Sequence, residues 1–306
     1  MVTEPSVPSV LQDFVARSRF SREGAVITDL DGTAVHEFEG RVVIPDAVSH
    51  ALKHLRDLGR PVILNSLRFP LNVIRTFGRE WYSITNAPLP LISLNGSLMG
   101  YLHETAQGEI AFDEIKAFPL EASEIDEVLI GVQALVADGI TDLIVFYYPR
   151  DWMQGELIWT PAPDRLPEIQ AKYRSATAVV TTSVAELGET LHAQDICMLL
   201  LLINAEEDRL MAYQHAKRSN FVTHKGVDKL SGTQALAALL EIDLAHAVGA
   251  GDTAMDSFLK GVGLAVHVGD FALEYKGLLA TLRVKDSLEL GAVLFRLAEL
   301  QRGEQL

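Results

Sequence analysis

Two short apolar runs stop abruptly at polar residues. Ala25-Val26-Ile27-Thr28 ends at Asp29, and Pro61-Val62-Ile63-Leu64 ends at Asn65-Ser66. Runs this short and this apolar read as strands buried on both faces. Between them, residues 34 to 44 read as a hairpin turning near Glu39-Gly40. Pro45 then opens a helix, where its missing N–H costs nothing. Val48, Leu52, Leu55 and Leu58 recur at helical spacing, and Gly59 ends the run. Strand, hairpin, helix, strand is a parallel crossover, and it commits the chain to an α/β sheet with helical layers.

The rest of the 306 residues fits one large domain or two modest ones. Residues 1 to 22 form a polar leader with a short helical stretch at Val10, Phe14 and Val15. A third strand lies near residues 89 to 94, and after it the texture changes. Residues 97 to 215 mix short strands (143–148, 178–182, 196–203) with helices (122–137, 205–215). From Lys229 the strand–helix alternation returns, with a helix through Leu236 to Leu240. Strands follow at 245–250 and 264–268, then a last amphipathic helix carrying Leu290, Val293, Leu294 and Leu297. The expected organisation is a Rossmann-like core in two pieces, 1–96 and 216–306, with an α+β domain, 97–215, inserted between them. Ligands of such sheets bind at the carboxyl ends of the strands. Three of the expected core strands end at Asp29, Ser66 and Asp252.

Net charge is −15, which argues against nucleic acid or an anionic membrane as partner. A phosphorylated substrate would need positive charge supplied locally, by a metal ion, a Lys or an Arg. No apolar run approaches the roughly 20 residues of a membrane span, and the first residues lack the basic flank and apolar stretch of a secretion signal. Cys197, the single cysteine, lies inside an apolar run and reads as a buried thiol. Together these features suggest a cytoplasmic protein.

The chemistry-bearing residues sit at the strand ends. In Asp29-Leu30-Asp31-Gly32-Thr33 two carboxylates leave a strand together. One can attack a phosphoryl group as nucleophile. The other can protonate a leaving oxygen and then deprotonate water. Gly32 permits a sharp turn, and the Thr33 hydroxyl can tie the loop to backbone. A calcium loop uses similar residues, but Ala34-Val35-His36 breaks that pattern; a plain strand-end turn is the other reading. Gly251-Asp252-Thr253-Ala254-Met255-Asp256 offers two more carboxylates after a strand. Acidic residues at a helix start also favour the helix dipole. With Asp29 and Asp31, Asp252 and Asp256 make an oxygen-rich set suited to Mg2+. The Ser66 hydroxyl can donate to a phosphoryl oxygen, and the Lys229 ammonium can neutralise charge beside Asp29.

Asp-Leu-Asp-Gly-Thr, then Ser66, then Lys229, then Gly-Asp-x-x-x-Asp, in this order, resembles the haloacid dehalogenase (HAD) superfamily. Leu91-Ile92-Ser93-Leu94-Asn95-Gly96, Lys225-Gly226-Val227-Asp228-Lys229 and Leu264-Ala265-Val266 resemble its Cof-like branch, related to sugar-phosphate phosphatases, and the insert resembles a C2-type cap. The resemblance implies an Mg2+-dependent phosphatase acting on a small phosphorylated metabolite, with a sugar phosphate as the expected class. It implies a phospho-aspartyl intermediate on Asp29, with Asp31 as acid/base. It places Asp29, the backbone carbonyl of Asp31, Asp252 and Asp256 around the metal. Ser66 and Lys229, with Gly32 and Thr33, hold the phosphoryl group, and Arg68 and Asn95 are candidates for touching substrate. A phosphomutase, or a non-catalytic binding or regulatory protein, is the alternative on the same scaffold.

Three features depart from the family pattern. Ser66-Leu67-Arg68 stands where Thr-Gly-Arg is frequent. Met255 replaces an Asn. The segment from His215 to Lys229 is short for the cap, so its last strand is expected to be missing or rearranged. Tyr147, Tyr148, Arg150, Asp151, Trp152 and His192 are the candidates for facing substrate from the insert, while His36 and His267 read as structural.

Overall fold

A computed structural model describes residues 6–38, 41–203 and 219–304. The chain divides into two compact units. The first comprises Met1–Arg68, Ile74–Ile115 and Asp228–Leu306; the second comprises Phe69–Val73 and Lys116–Val227.

The first unit opens with α1 (Val7–Arg17) and α2 (Phe20–Glu23), then β1 (Val26–Thr28), the pair β2 (His36–Phe38) and β3 (Arg41–Val43), and α3 (Asp46–Asp57). β4 (Val62–Asn65), α4 (Pro70–Thr85, in this unit from Ile74 on) and β5 (Leu89–Ser93) follow, with a hairpin of β6 (Leu98–Glu104) and β7 (Ile110–Ala117, in this unit as far as Ile115). The second unit holds α5 (Ala122–Ala137), β8 (Leu143–Pro149), β9 (Leu157–Trp159), α6 (Leu166–Lys172), β10 (Ala178–Val180), α7 (Val184–His192), β11 (Ile196–Ile203) and β12 (Ser219–Val222). The chain then completes the first unit with α8 (Lys229–Leu239), β13 (Val248–Gly251), β14 (Leu264–Val268), β15 (Ala280–Val284) and α9 (Ser287–Glu304).

The first unit is built on an eight-stranded sheet of order β15-β14-β13-β1-β4-β5-β6-β7. From β15 to β5 all pairs are parallel, and β6 runs antiparallel to β5. β1 sits centrally, with Thr28 level with Ala250 of β13 and Leu64 of β4. That register brings Asp29, Ser66 and Asp252 to one end of three adjacent strands. The strands are buried on both sides because helices cover both faces, as parallel sheets require. Val48, Leu52 and Leu55 of α3 and Leu290, Leu294 and Leu297 of α9 are all fully buried. Each such side chain contributes about 1.5–3 kcal/mol of burial. Gly291 lets α9 lie against α3, since a Cβ there would meet the Ala47 backbone at 2.7 Å.

The hairpin β6–β7 extends the core sheet, whereas the sequence suggested that the insert begins at residue 97. The reason is local. Leu94, Asn95 and Gly96 have φ of 50°, 57° and 100°, a tight left-handed reversal that returns the chain alongside β5. At the other boundary, the described residues 219–227 cluster with the second unit, not the core. There β12 pairs with β11, so a strand does occupy the place expected to be empty or rearranged. No element was expected for residues 70–85, yet Val73, Phe77, Trp81 and Ile84 are buried at helical spacing along α4. The expected turn at Glu39-Gly40 and the expected helix 205–215 lie outside the described residues.

The second unit is a five-stranded sheet of order β10-β9-β8-β11-β12. α5 and α7 supply Ile125, Val132, Leu135, Leu187 and Leu191 to its core, with Leu143, Val145, Tyr147, Trp159 and Leu199 from the strands.

Candidate active site

Asp29 is the first residue beyond β1, and its N–H donates to the Ala250 carbonyl at 2.9 Å, continuing the ladder one step past the strand. The next residues turn tightly: Gly32 N–H donates to the Val35 carbonyl, and Val35 N–H to that of Leu30, at 3.1 and 2.9 Å. Gly32 has φ +79°, and a Cβ there would lie 2.2 Å from Oδ2 of Asp252. A side chain at this point would be strained at that φ and would displace the Asp252 carboxylate, which fills the space. Thr33, fully buried, donates its hydroxyl to Asp252 Oδ1 at 3.1 Å and so ties the two loops together.

Lys229 is the first residue of α8, a position where the helix dipole disfavours a cation. It is nevertheless 2 % exposed. Two carboxylates hold it there: Nζ donates to Asp29 Oδ1 at 2.5 Å and to Asp256 Oδ1 at 2.6 Å. Burial works against charge on Lys229, but these two neighbours outweigh it and keep its pKa above the ordinary lysine value. Asp256, wholly buried, turns its other oxygen to the main-chain N–H groups of Asp252 and Thr253, both at 2.9 Å. Both Asp256 oxygens are therefore engaged, and this carboxylate serves as the anchor of Lys229 and of the Asp252 loop.

Asp29, Asp252 and Asp256 bring carboxylate oxygens within 4.8 Å of one another. Fully ionised, three carboxylates against one ammonium would leave two negative charges uncompensated. The strain appears in the acidities. Burial pushes Asp29 up to about 8 in spite of Lys229, with Asp256 and Asp252 adding to the rise. Burial and Asp256 likewise raise Asp252. A hard divalent cation bound by oxygen matches both the donor set and the missing charge. The carboxylate of Asp31 is not part of this triad.

Asp31 faces Arg68. The guanidinium donates through Nε to Oδ2 and through Nη2 to Oδ1, each at 2.7 Å. Arg68, a candidate for touching substrate, is thus engaged by an aspartate. Ser66, beyond the end of β4, is 1 % exposed; its N–H donates to the Ile92 carbonyl at 2.8 Å and its hydroxyl accepts from Arg68 N–H at 3.1 Å. Asn95, half-buried at φ +57°, donates its N–H to the Ser66 carbonyl at 3.3 Å. Its visible role is to brace the Ser66 loop from the β5–β6 reversal.

Several residues that place the site were not singled out in the sequence. The Asn65 amide donates to the Lys229 carbonyl at 3.1 Å and to Thr233 Oγ1 at 2.8 Å, pinning the start of α8 to β4. Asp228 caps α8 by accepting from Ser231 N–H at 2.8 Å, and its other oxygen accepts from Ser257 Oγ at 2.8 Å. Asp-x-x-Ser before an apolar run was a legible cap signal; Asn65 is legible only as a polar residue closing a buried strand.

Most of the candidates in the insert have local partners within the second unit. Tyr147 lies in its core. Tyr148 donates to Glu156 at 2.8 Å, Arg150 pairs with Asp195 at 3.2 Å, Asp151 caps the turn at Trp152–Gln154, and His192 meets Asp126 at 2.9 Å. Trp152 is half-buried. In the first unit, His36 bonds Ser287 Oγ at 2.8 Å. His267 is buried, and burial depresses its pKa.

No family model matches the chain, and no curated protein matches it in sequence. Among solved structures it resembles a phosphatase of the haloalkanoate (HAD) superfamily from Bacteroides thetaiotaomicron, at TM-score 0.64 and 15 % identity over 92 % of this chain and 96 % of that one. A HAD subclass IIB sugar phosphatase matches at TM-score 0.61 and 17 % identity over 88 % and 96 %. A protein from Thermotoga maritima matches at 0.62 and 14 % over 92 % and 97 %. The chain has the fold of these proteins. Among the described residues, no helix is long and apolar enough to cross a membrane.

Proposed function

We propose that this chain is an Mg2+-dependent phosphatase of the HAD superfamily, hydrolysing a small phosphorylated metabolite through a phospho-aspartyl intermediate on Asp29. A sugar phosphate is the substrate class suggested by the subclass IIB neighbour. The observation that carries the reading is Lys229, buried at a helix start and held 2.5 Å from Asp29 inside an acidic triad. The helix dipole disfavours a cation at this position, and Lys229 stays charged there because two carboxylates surround it. A lysine that must meet an anionic phosphoryl group beside a nucleophile belongs there.

In this reading Asp29 attacks phosphorus and the bond to the leaving oxygen breaks, with Asp31 giving that oxygen a proton. Asp31 then takes a proton from the water that attacks the same phosphorus. The bond from phosphorus to Asp29 breaks, restoring the carboxylate and releasing inorganic phosphate. Lys229 and the Ser66 hydroxyl neutralise and orient the phosphoryl oxygens, since phosphoryl transfer demands mainly positioning and charge compensation. Asp29, Asp252 and the Asp31 carbonyl would hold Mg2+, with Asp256 acting from behind through Lys229 and the Asp252 backbone. Bound there, the ion would supply the charge that the triad lacks and stabilise charge on the phosphoryl group.

The test is phosphate release from p-nitrophenyl phosphate and a panel of sugar phosphates, with Mg2+ and with EDTA. The reading expects release that requires Mg2+ and a preference within the sugar panel. Well-folded protein that releases no phosphate from any ester under either condition would overturn it.

A further inference from the structure

We propose that Arg68 is the positioning residue for Asp31, fixing the acid/base carboxylate at the orientation from which it serves the leaving oxygen. This inference rests on the phosphatase reading and adds a residue to it. Two parallel donors, Nε and Nη2, meet both oxygens of Asp31 at 2.7 Å. A bidentate guanidinium–carboxylate pair fixes the rotation of the carboxylate as well as its place, which a single ammonium cannot do.

The guanidinium is itself fixed. It lies 5.2 Å from the Phe77 ring centroid, and Nη1 is 3.5 Å from Thr76 Oγ1, both on α4. The Arg68 main chain is pinned as well. Its N–H donates to Ser66 Oγ at 3.1 Å, and its carbonyl accepts from the Ser93 hydroxyl at 2.5 Å and from Leu94 N–H at 3.4 Å. Among the described residues, the Asp31 side chain has no other hydrogen-bond or ion-pair partner, and it is 50 % exposed. Without Arg68 it would spread over its rotamers in solvent. The contacts at Asp29, Lys229, Asp252 and Asp256 do not involve Arg68, so its loss touches the acid/base and leaves the nucleophile's surroundings intact.

This assignment has a signature that a merely structural role lacks. p-Nitrophenolate departs without needing a proton, whereas phenolate, a stronger base, gains more from an acid. General acid catalysis is worth on the order of 10²–10⁴ in rate. Arg68→Ala is therefore expected to lower kcat/KM for phenyl phosphate at least about tenfold more than for p-nitrophenyl phosphate, in the direction set by Asp31→Asn. Added guanidinium is expected to restore part of the phenyl phosphate activity, and Arg68→Lys to fall between wild type and Arg68→Ala. A second readout needs no turnover. In protein labelled with 15N-arginine, the Arg68 Nε–H resonance is expected to shift in Asp31→Asn and to stay put in Asp252→Asn. Equal losses on the two esters, or an Arg68 resonance indifferent to Asp31→Asn, would overturn the inference while leaving the phosphatase reading standing. Failure of wild type to release phosphate from either ester would remove the reading and the inference together.

Discussion

Asp256→Asn separates the charge of this carboxylate from its shape. In the native chain Oδ1 accepts from the Lys229 ammonium at 2.6 Å, and Oδ2 accepts from two main-chain N–H groups at 2.9 Å. The asparagine carbonyl oxygen can keep the main-chain pair, but its NH2 group then faces the ammonium, donor against donor. Removing one partner of a buried ion pair costs about 3–5 kcal/mol. Part of that is offset, because Asp256 also repels Asp29 and Asp252. The net loss is expected to be about 2–4 kcal/mol in metal-free protein at neutral pH. Asp256→Ala additionally orphans the N–H groups of Asp252 and Thr253, for a further ~2 kcal/mol or more. Urea unfolding followed by tryptophan fluorescence reads both, with Trp81, buried in the first unit, as a reporter. The transition midpoint should fall in the order wild type, Asn, Ala, with little change in slope. Asn as stable as wild type, or Asn and Ala alike, would refute the view that Asp256 is the anchor of Lys229.

Other outcomes follow from the same geometry. Burial holds the folded-state pKa of Asp29 far above its ordinary value, from 3.8 to about 8, so the folded protein binds a proton that the unfolded chain has lost. Metal-free protein should therefore lose stability as pH rises across that window, and Asp29→Asn or saturating Mg2+ should flatten the slope; equal slopes with and without the substitution would contradict it. Gly32→Ala forces a Cβ to within 2.2 Å of Asp252 Oδ2 at φ +79°, and is expected to abolish Mg2+ binding by calorimetry while circular dichroism stays native. Tyr148→Phe removes the 2.8 Å donor of buried Glu156 and should destabilise the second unit by about 1–3 kcal/mol, visible as faster hydrogen exchange in β8 and β9 and unchanged exchange in β1 and β13.

Much of the fold could be read from residues 25 to 66, because parallel strands buried on both faces are short, continuously apolar and end where the polar site begins. The same logic located β13 and β14. It failed at 97–115, since a left-handed reversal at Leu94–Gly96 looks in sequence like the end of a domain rather than the bend of a hairpin. It also passed over α4, which starts just beyond Arg68, although Val73, Phe77, Trp81 and Ile84 keep an unbroken helical spacing with Arg75, Arg79 and Glu80 off that face. At the site, strand ends and helix starts pointed to Asp29, Ser66, Lys229 and Asp252. What could not be read was which carboxylate each cation meets. Lys229 pairs with both Asp29 and Asp256 across 200 and 27 residues of sequence. Arg68 meets Asp31 across 37. Such pairings are set by strand order and register, which local patterns do not encode.

The most direct test of the central claim is to trap the intermediate. Protein with Mg2+ would be mixed with 32P-labelled p-nitrophenyl phosphate, quenched in acid within one turnover, and digested for peptide mapping. The account predicts hydroxylamine-labile label on the peptide containing Asp29, absent in Asp29→Asn. Phosphate released with no label on the protein, or with label on a peptide lacking Asp29, would contradict it.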